Sequence, residues 1–171
     1  WVWVSDTVEG VAIVDYETPG LNDYYAIPRE TRQETILTPY FYPIEGVDVM
    51  MTSVAVPIVE NNRFYGAAGV DLPIGFVQGL VDGINLYDGE ASALLFTEDG
   101  TVIAARNQPE LALQSATSLF DDFDQIQPRI ANGETFASQS PDGKYLRVFA
   151  PVITDKAGSR WWFGLVIPFS A

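Results

Sequence analysis

The feature that most constrains the fold is an internal repeat, because one pattern of turns and strands occurs in both halves of the chain. In each copy, a turn containing proline and glycine precedes a strand that ends at Pro57 or Pro151. A polar loop follows, and then a last strand that opens with aromatic residues and contains Gly66 or Gly164. The repeat predicts two similar modules in tandem.

A β-hairpin at the start of each half supports the repeat. Residues 1–5 and 11–16 alternate in the manner of two strands joined by a turn. Residues 91–96 and 101–105 repeat this arrangement around an Asp-Gly dipeptide, which is a strong turn signal. A hairpin, short helices and a three-stranded meander, in that order, are typical of a PAS-like α+β module whose sheet packs helices on one face.

Helical signals are few, and they fall between or within the predicted modules. Residues 72–84 predict a bridging helix, since one face carries Ile74, Val77, Leu80, Val81 and Ile84. Residues 108–114 and 121–130 predict short helices or turns, the second broken near Pro128. We therefore expect an α+β fold of two tandem PAS-like modules, each an antiparallel sheet with short helices, over residues 1–86 and 87–171.

The composition excludes several kinds of chemistry. The chain has no cysteine and no histidine, which removes thiol nucleophiles, Ser-His-Asp triads, disulfides and the usual zinc sites. An enzyme would depend on carboxylates alone, as glycosidases do, and the spacing of the aspartates selects no pair. We therefore predict no enzymatic activity, no catalytic residues, no metal site and no cofactor.

The chain is strongly acidic, with nine basic and 23 acidic residues and a net charge of −14. Such a surface repels nucleic acid, which is bound through clustered lysine and arginine. The acidity is consistent with a cation-binding site, with simple solubility, or with a saline environment. The longest uncharged apolar run, residues 54–59, is far shorter than the roughly 20 residues of a transmembrane helix.

Four segments together resemble a known family: residues 23–28 (DYYAIP), 38–42 (TPYFY), 50–58 (MMTSVAVPI) and 64–72 (FYGAAGVDL). They are similar to the double Cache (dCache) sensor domain of bacterial chemoreceptors and sensor histidine kinases. The resemblance covers essentially the whole chain, and the long N-terminal helix and first strand that the family carries are missing from its front. It implies that the first, membrane-distal module binds a small-molecule ligand.

The resemblance also implies a location and partners. Such domains lie outside the cytoplasmic membrane, so we expect a periplasmic or extracellular domain of an inner-membrane receptor. Membrane attachment would come from flanking segments, and a homodimer would form through the N-terminal helix. No nucleic acid partner is expected.

The amino-acid-binding branch of this family implies particular site residues. Its carboxylate-holding Arg, Trp and Tyr fall at Asn22, Tyr24 and Tyr25. Its amino-group-holding residues fall at Tyr40 and Tyr42, where the family has Tyr and Asp, and its final Asp falls at Asp71. Without arginine at position 22, a carboxylate has no planar bidentate donor.

The remaining residues suit a cation, either an amine, a quaternary amine or an amino-acid-like ligand. Asp71 supplies negative charge, and the tyrosine rings offer faces to an alkylammonium. An alternative is that Tyr40 and Tyr42 only mark one face of a strand, and that Asp71 caps the helix beginning near Pro73.

The second module offers fewer polar candidates. Leu95, Phe136 and Phe149 would fill its pocket with apolar groups. The acidic run 121–124 lacks the glycine and terminal glutamate of an EF-hand loop, so it indicates a turn or helix start. The chain is thus predicted to be the sensor domain of a chemotaxis transducer or histidine kinase; the alternatives are a ligand-free spacer and a carboxylate-only hydrolase.

Overall fold

The computed structural model describes residues 22–44, 46–153 and 160–169. The N-terminal hairpin predicted from the sequence lies outside these residues. Within the described residues, no helix is long and apolar enough to cross a membrane.

The first half forms an antiparallel sheet around one long strand. This strand, β3, pairs with β1 and β2 along one edge and with β4 along the other. The bounds are β1 Thr35–Ile36, β2 Tyr40–Ile44, β3 Val47–Glu60 and β4 Arg63–Pro73. The β3–β4 turn holds two asparagines, Asn61 and Asn62, with positive φ, a conformation that asparagine tolerates better than most residues.

The second half forms a five-stranded antiparallel sheet in the order β6-β5-β9-β8-β7. Its strands are β5 Ser92–Thr97, β6 Val102–Ala105, β7 Phe136–Gln139, β8 Tyr145–Ile153 and β9 Arg160–Pro168. The predicted hairpin and the predicted meander are both present, joined through the β5–β9 pair. The α+β class with two antiparallel sheets is confirmed.

The described helices are α1 Asp23–Thr31, α2 Ile74–Asp82 and α3 Phe123–Ala131. Helix α1 contains Pro28 and continues through it to Thr31. The sequence analysis placed a break near Pro128, and this was wrong, because α3 continues through that residue to Ala131. The segment at 108–114 contains one short 3-10 helix, Pro109–Leu111.

Helix α2 lies between the two sheets and packs on both. Its residues Ile74, Val77 and Val81 are buried with Leu95 and Trp161 of the second sheet. Partly buried side chains of the first sheet, Ile36 and Met50, pack against the same cluster. The bridging role predicted for this helix agrees with these contacts, but Leu80 is 60% exposed and lies outside the buried face.

The described strands fall into two separate sheets that share no strand. The predicted boundary lies in the connection between α2 and the 3-10 helix Tyr87–Gly89. The division into modules over residues 1–86 and 87–171 stays a prediction.

Candidate functional site

The period of two in a β-strand places the predicted polar residues of the first half on one sheet face. On β2, Tyr40 and Tyr42 alternate with exposed Phe41, and Tyr40 is paired in register with Met51 of β3. Two residues further along β3, Ser53 is paired with Asp71 of β4. The register thus brings a phenol, a hydroxyl and a carboxylate side by side.

Hydrogen bonds join these three side chains across the sheet. The Ser53 hydroxyl donates to Asp71 Oδ1 at 2.5 Å. The Tyr40 hydroxyl lies 2.6 Å from Ser53 Oγ, within hydrogen-bond distance. Ser53 is fully buried, whereas Tyr40 and Asp71 are half-buried, so the serine fixes the carboxylate from beneath while part of it stays accessible.

Helix α1 covers this face and adds the N-terminal candidates. Tyr24 packs in a small cluster with Leu37 and Ala55, and Tyr25 and Tyr40 lie against that cluster. The Tyr24 hydroxyl donates a hydrogen bond to Asn22 Oδ1, and both residues are buried. Because α1 contacts β3 and β4, it closes one side of the polar face.

The electrostatic environment confirms that these groups lie close together. Burial raises the pKa of Tyr24 to about 12, with further contributions from Tyr42, Tyr40 and Asp71. Burial also raises the pKa of Tyr40; the hydrogen bond with Ser53 lowers it, and the charges of Asp71 and Tyr42 raise it further. The two phenols are therefore neutral at physiological pH, and Asp71 contributes negative potential to both.

The structure brings together Asn22, Tyr24, Tyr40, Tyr42 and Asp71, all of which the sequence proposed. Tyr42 is 40% exposed and lies at the rim. The sixth candidate, Tyr25, is half-buried and packs edge-on against Phe64 with ring centroids 5.5 Å apart.

The structure does not support the helix-cap explanation for Asp71. Helix α2 begins at Ile74 after Pro73, and no side chain caps its N-terminus. Asp71 instead accepts the hydrogen bond from Ser53. Its position is therefore set by the sheet and not by the helix.

Sequence reasoning missed Ser53, which is the residue that connects the tyrosine to the carboxylate. The available signal was the alternation of β3, where Met51, Ser53 and Ala55 share one face and are all buried. A serine between apolar residues gave no sign of its partners, because both lie on other strands.

Basic side chains near α1 do not form an ion pair with Asp71 in the described part of the chain. Arg29 and Arg32 are exposed, and the Arg32 guanidinium lies over the Phe64 ring, 5.2 Å from its centroid. In the described residues, no group of three or more acidic side chains is arranged to hold a metal ion.

The corresponding region of the second half is filled with aromatic rings. Phe136 and Phe149 belong to one buried cluster with Phe96 and Trp162, and the Phe136 and Phe149 ring centroids are 5.0 Å apart. Leu95 was predicted to line the same pocket, and this was wrong, because it packs with α2 on the opposite sheet face. Adjacent strand residues point to opposite faces, so Leu95 and Phe96 cannot line one pocket.

The acidic run 121–124 supplies a buried ion pair. The Arg147 guanidinium donates to both carboxylate oxygens of Asp122, at 2.6 and 2.7 Å, and also to the Gln139 carbonyl at 2.9 Å. This pairing holds the pKa of Asp122 below its ordinary value. The buried charges of Asp122 and Arg147 therefore neutralise each other within the protein.

Comparisons with known proteins agree with this architecture. Residues 4–78 match the family described as methyl-accepting chemotaxis protein-like, first PDC sensor domain. The methyl-accepting chemotaxis protein TlpQ of Pseudomonas aeruginosa is 32% identical over 88 residues, which are 50% of this chain and 12% of that protein. The chain thus spans a small part of this curated relative.

Solved structures of sensor domains extend the likeness over nearly the whole chain. The extracellular domain of mmHK1S-Z2, described as a histidine kinase, superposes with a TM-score of 0.72 at 28% identity, covering 96% of this chain and 60% of that one. The ligand-binding domain of the P. aeruginosa amino acid chemoreceptor PctB, in complex with L-Gln, gives a TM-score of 0.65 at 18% identity, covering 94% and 61%. The two structures are sensor domains of receptors.

Proposed function

Because this chain belongs to the double Cache-type sensor domains, we propose that it is the extracytoplasmic ligand-binding part of a transmembrane signalling receptor. The receptor is a chemotaxis transducer or a histidine kinase, attached to the membrane through segments flanking this chain. We further propose that the ligand binds in the first module and carries an ammonium group, as an amine or an amino-acid-like molecule does.

The observation that carries this proposal is the placement of Asp71. Its carboxylate lies on a sheet face lined by tyrosines and covered by α1, and it forms no ion pair within the described residues. An ammonium group in such a site gains a charge-assisted hydrogen bond and contacts with ring faces, and both are stronger when water is excluded.

The residues around Asn22, at the other end of the proposed site, bear on the class of ligand. PctB binds L-Gln in a domain of the same fold, and an amino acid needs a donor for its carboxylate. The position where the amino-acid-binding branch has arginine holds Asn22 here, and Asn22 already accepts the Tyr24 hydroxyl. A ligand with an amine and without an α-carboxylate therefore fits these residues better.

Ligand screening tests this function against the alternative of a ligand-free spacer. Amines, amino acids, carboxylates and purines would be compared by their effect on the thermal unfolding of the purified chain. A ligand that binds only the native state adds about 2.7 kcal/mol at a hundredfold excess over Kd. Stabilisation by amines is expected, and no stabilisation by any class would favour the spacer.

Substitution of Asp71 tests the charge of the ligand. Asp71→Asn keeps the shape and the hydrogen bond from Ser53, so the fold should survive. Binding of the best amine should weaken by about 2 to 5 kcal/mol, because the buried ammonium loses its counter-charge. Isothermal titration calorimetry measures the loss.

The matched control is Asp48→Asn, which removes the same charge from an exposed position of β3. It should change amine affinity by only a few tenths of a kcal/mol, because an exposed charge is screened. If the Asp71→Asn protein is folded by circular dichroism and binds as tightly as the parent, the ligand is neutral or anionic.

A further inference from the structure

The direction of each hydroxyl proton in the site follows from the hydrogen bonds. A serine hydroxyl has one proton, and Ser53 gives it to Asp71 Oδ1. The 2.6 Å contact between Tyr40 and Ser53 then requires the phenol to be the donor. The protons run in one direction, from Tyr40 to Ser53 to Asp71.

Tyr24, the other tyrosine buried at this site, also uses its hydroxyl proton in a hydrogen bond within the protein. The hydroxyl donates to Asn22 Oδ1, so its proton is already used there. The acceptors that a ligand could meet include the lone pairs on the Tyr40 phenol oxygen and the second carboxylate oxygen of Asp71. In the described residues this second oxygen accepts no hydrogen bond.

A site that offers acceptors discriminates among cations by their N–H groups. A primary ammonium has three protons and can donate to Asp71 and to a phenol oxygen at once. A quaternary ammonium has none, so it would remove water from these acceptors and leave them without donors. Ring contacts alone would not produce this preference, because aromatic faces also bind quaternary ammonium groups well.

We infer that Ser53 is a specificity-determining positioning residue, which turns the Tyr40 proton inward and thereby makes the site select ammonium ligands with N–H groups over quaternary ammonium. This inference rests on the proposed function, because it applies to the same site. It concerns the kind of cation, whereas the proposed function concerns the presence of a positive charge.

A matched series of ligands tests the selectivity. Ethanolamine, N,N-dimethylethanolamine and choline share one carbon skeleton and lose N–H groups by methylation. Calorimetry on the parent chain should give affinities that fall along the series, with choline about 10- to 100-fold weaker than ethanolamine. Equal affinities for ethanolamine and choline would overturn the inference while leaving the proposed cation site intact.

Ser53→Ala separates the role of the serine from that of the site as a whole. Without the serine oxygen, the Tyr40 hydroxyl is free to turn toward the ligand, and Asp71 loses the hydrogen bond to Oδ1. We expect the ratio of ethanolamine to choline affinity to shrink by about tenfold. Ser53→Thr keeps the hydroxyl and suits a strand, so it should retain the parent ratio.

Both variants are first compared with the parent by circular dichroism and thermal unfolding, since Ser53 is fully buried. A folded Ser53→Ala protein with the parent ratio would overturn the assignment to Ser53. If none of the three ligands binds the parent but an anion or a purine does, the proposed function fails, and this inference fails with it.

Discussion

The two halves place different residues at equivalent points of similar sheets. When Pro57 and Pro151 are matched, Ser53 opposite Asp71 in the first half corresponds to Arg147 opposite Val166 in the second. Likewise, Ala55 opposite Gly69 corresponds to Phe149 opposite Gly164. Small and polar residues line this face of the first sheet, whereas a buried arginine and large aromatic residues fill the equivalent face of the second.

Each half also contains one acidic residue beneath its helices, and these acids differ in their partners. Asp122 has both carboxylate oxygens bonded to Arg147, so its charge is used within the protein. Asp71 accepts one hydrogen bond from a neutral serine and lies next to neutral phenols. Within the described residues, Asp122 is thus neutralised by a cation of the protein, whereas Asp71 is held by a neutral donor.

The largest expected effect comes from breaking the matched pair of the second half. Asp122→Asn should reduce the free energy of unfolding by about 3 to 5 kcal/mol, because it leaves the Arg147 guanidinium buried without a counter-charge. Asp71→Asn should reduce it by less than about 1 kcal/mol, since only a hydrogen bond to a neutral donor weakens. Urea denaturation of both variants measures the difference.

The pH dependence of the free energy of unfolding is a second test of the Asp122–Arg147 ion pair. The folded-state pKa of Asp122 is lowered, so its stabilising contribution is present above the unfolded-state pKa and is lost as pH falls through the folded value. The free energy of unfolding of the parent should therefore fall in acid as this contribution is lost. That of Asp122→Asn should lack this part of the pH dependence. Equal stability losses in the two aspartate variants would show that the halves do not differ in this way.

A smaller effect is expected from close packing in the second half. An added Cβ at Gly164 would lie 2.7 Å from Leu94 Cδ2 and 3.3 Å from Phe149 Cε1. Gly164→Ala should therefore destabilise the chain by about 1 to 3 kcal/mol. Gly79→Ala is the control, since nothing lies within 4 Å of its Cβ in the exposed face of α2; it should stabilise by about 0.5 to 1 kcal/mol. Thermal unfolding compares them, and a neutral Gly164→Ala would mean that the core is looser than the contacts indicate.

The smallest effect concerns the phenols of the first half at alkaline pH. The pKa of Tyr24 is raised from its ordinary value of 10.0 to about 12, so its contribution is complete below pH 10. As pH rises further, the unfolded state releases this proton first, and stability falls. Tyr24→Phe should reduce the alkaline loss by on the order of 1 kcal/mol after allowance for solvent screening.

Denaturation at about pH 9 and about pH 11 would measure this difference between parent and variant. Tyr145→Phe, in the second sheet, controls for the removal of one phenol from an exposed position. If the free energy of unfolding falls between the two pH values by the same amount in Tyr24→Phe as in the parent, the Tyr24 ring lies in water and not on the polar face.

The internal repeat could be recognised from the sequence, but the residue-by-residue alignment of its two copies could not. The sequence pattern matched Gly66 with Gly164. When the strands are aligned on Pro57 and Pro151, the residue equivalent to Gly164 is Gly69. A bulge between Ile58 and Val59 shifts the first hairpin. Sequence patterns report strands and turns, whereas a bulge depends on how two strands meet.

The sequence by itself determined the α+β class, the meander of the second half, the bridging helix and five of the residues on the polar face. The class, the meander and the bridging helix follow from local rules, namely alternation, turn residues and helical periodicity, whereas the five site residues came from the resemblance to the sensor-domain family. Helix α1 was hidden because Pro28 argues locally against a helix, and packing of Tyr24 and Pro28 on the sheet outweighs that preference.

Only the tertiary structure decided the partners of each polar group. Ser53 joins Tyr40 and Asp71, which are 13 and 18 residues away in sequence. Arg147 finds Asp122 from 25 residues away. Such pairs depend on strand register and helix docking, so the sequence could supply the charged and polar residues but not show which of them pair with each other.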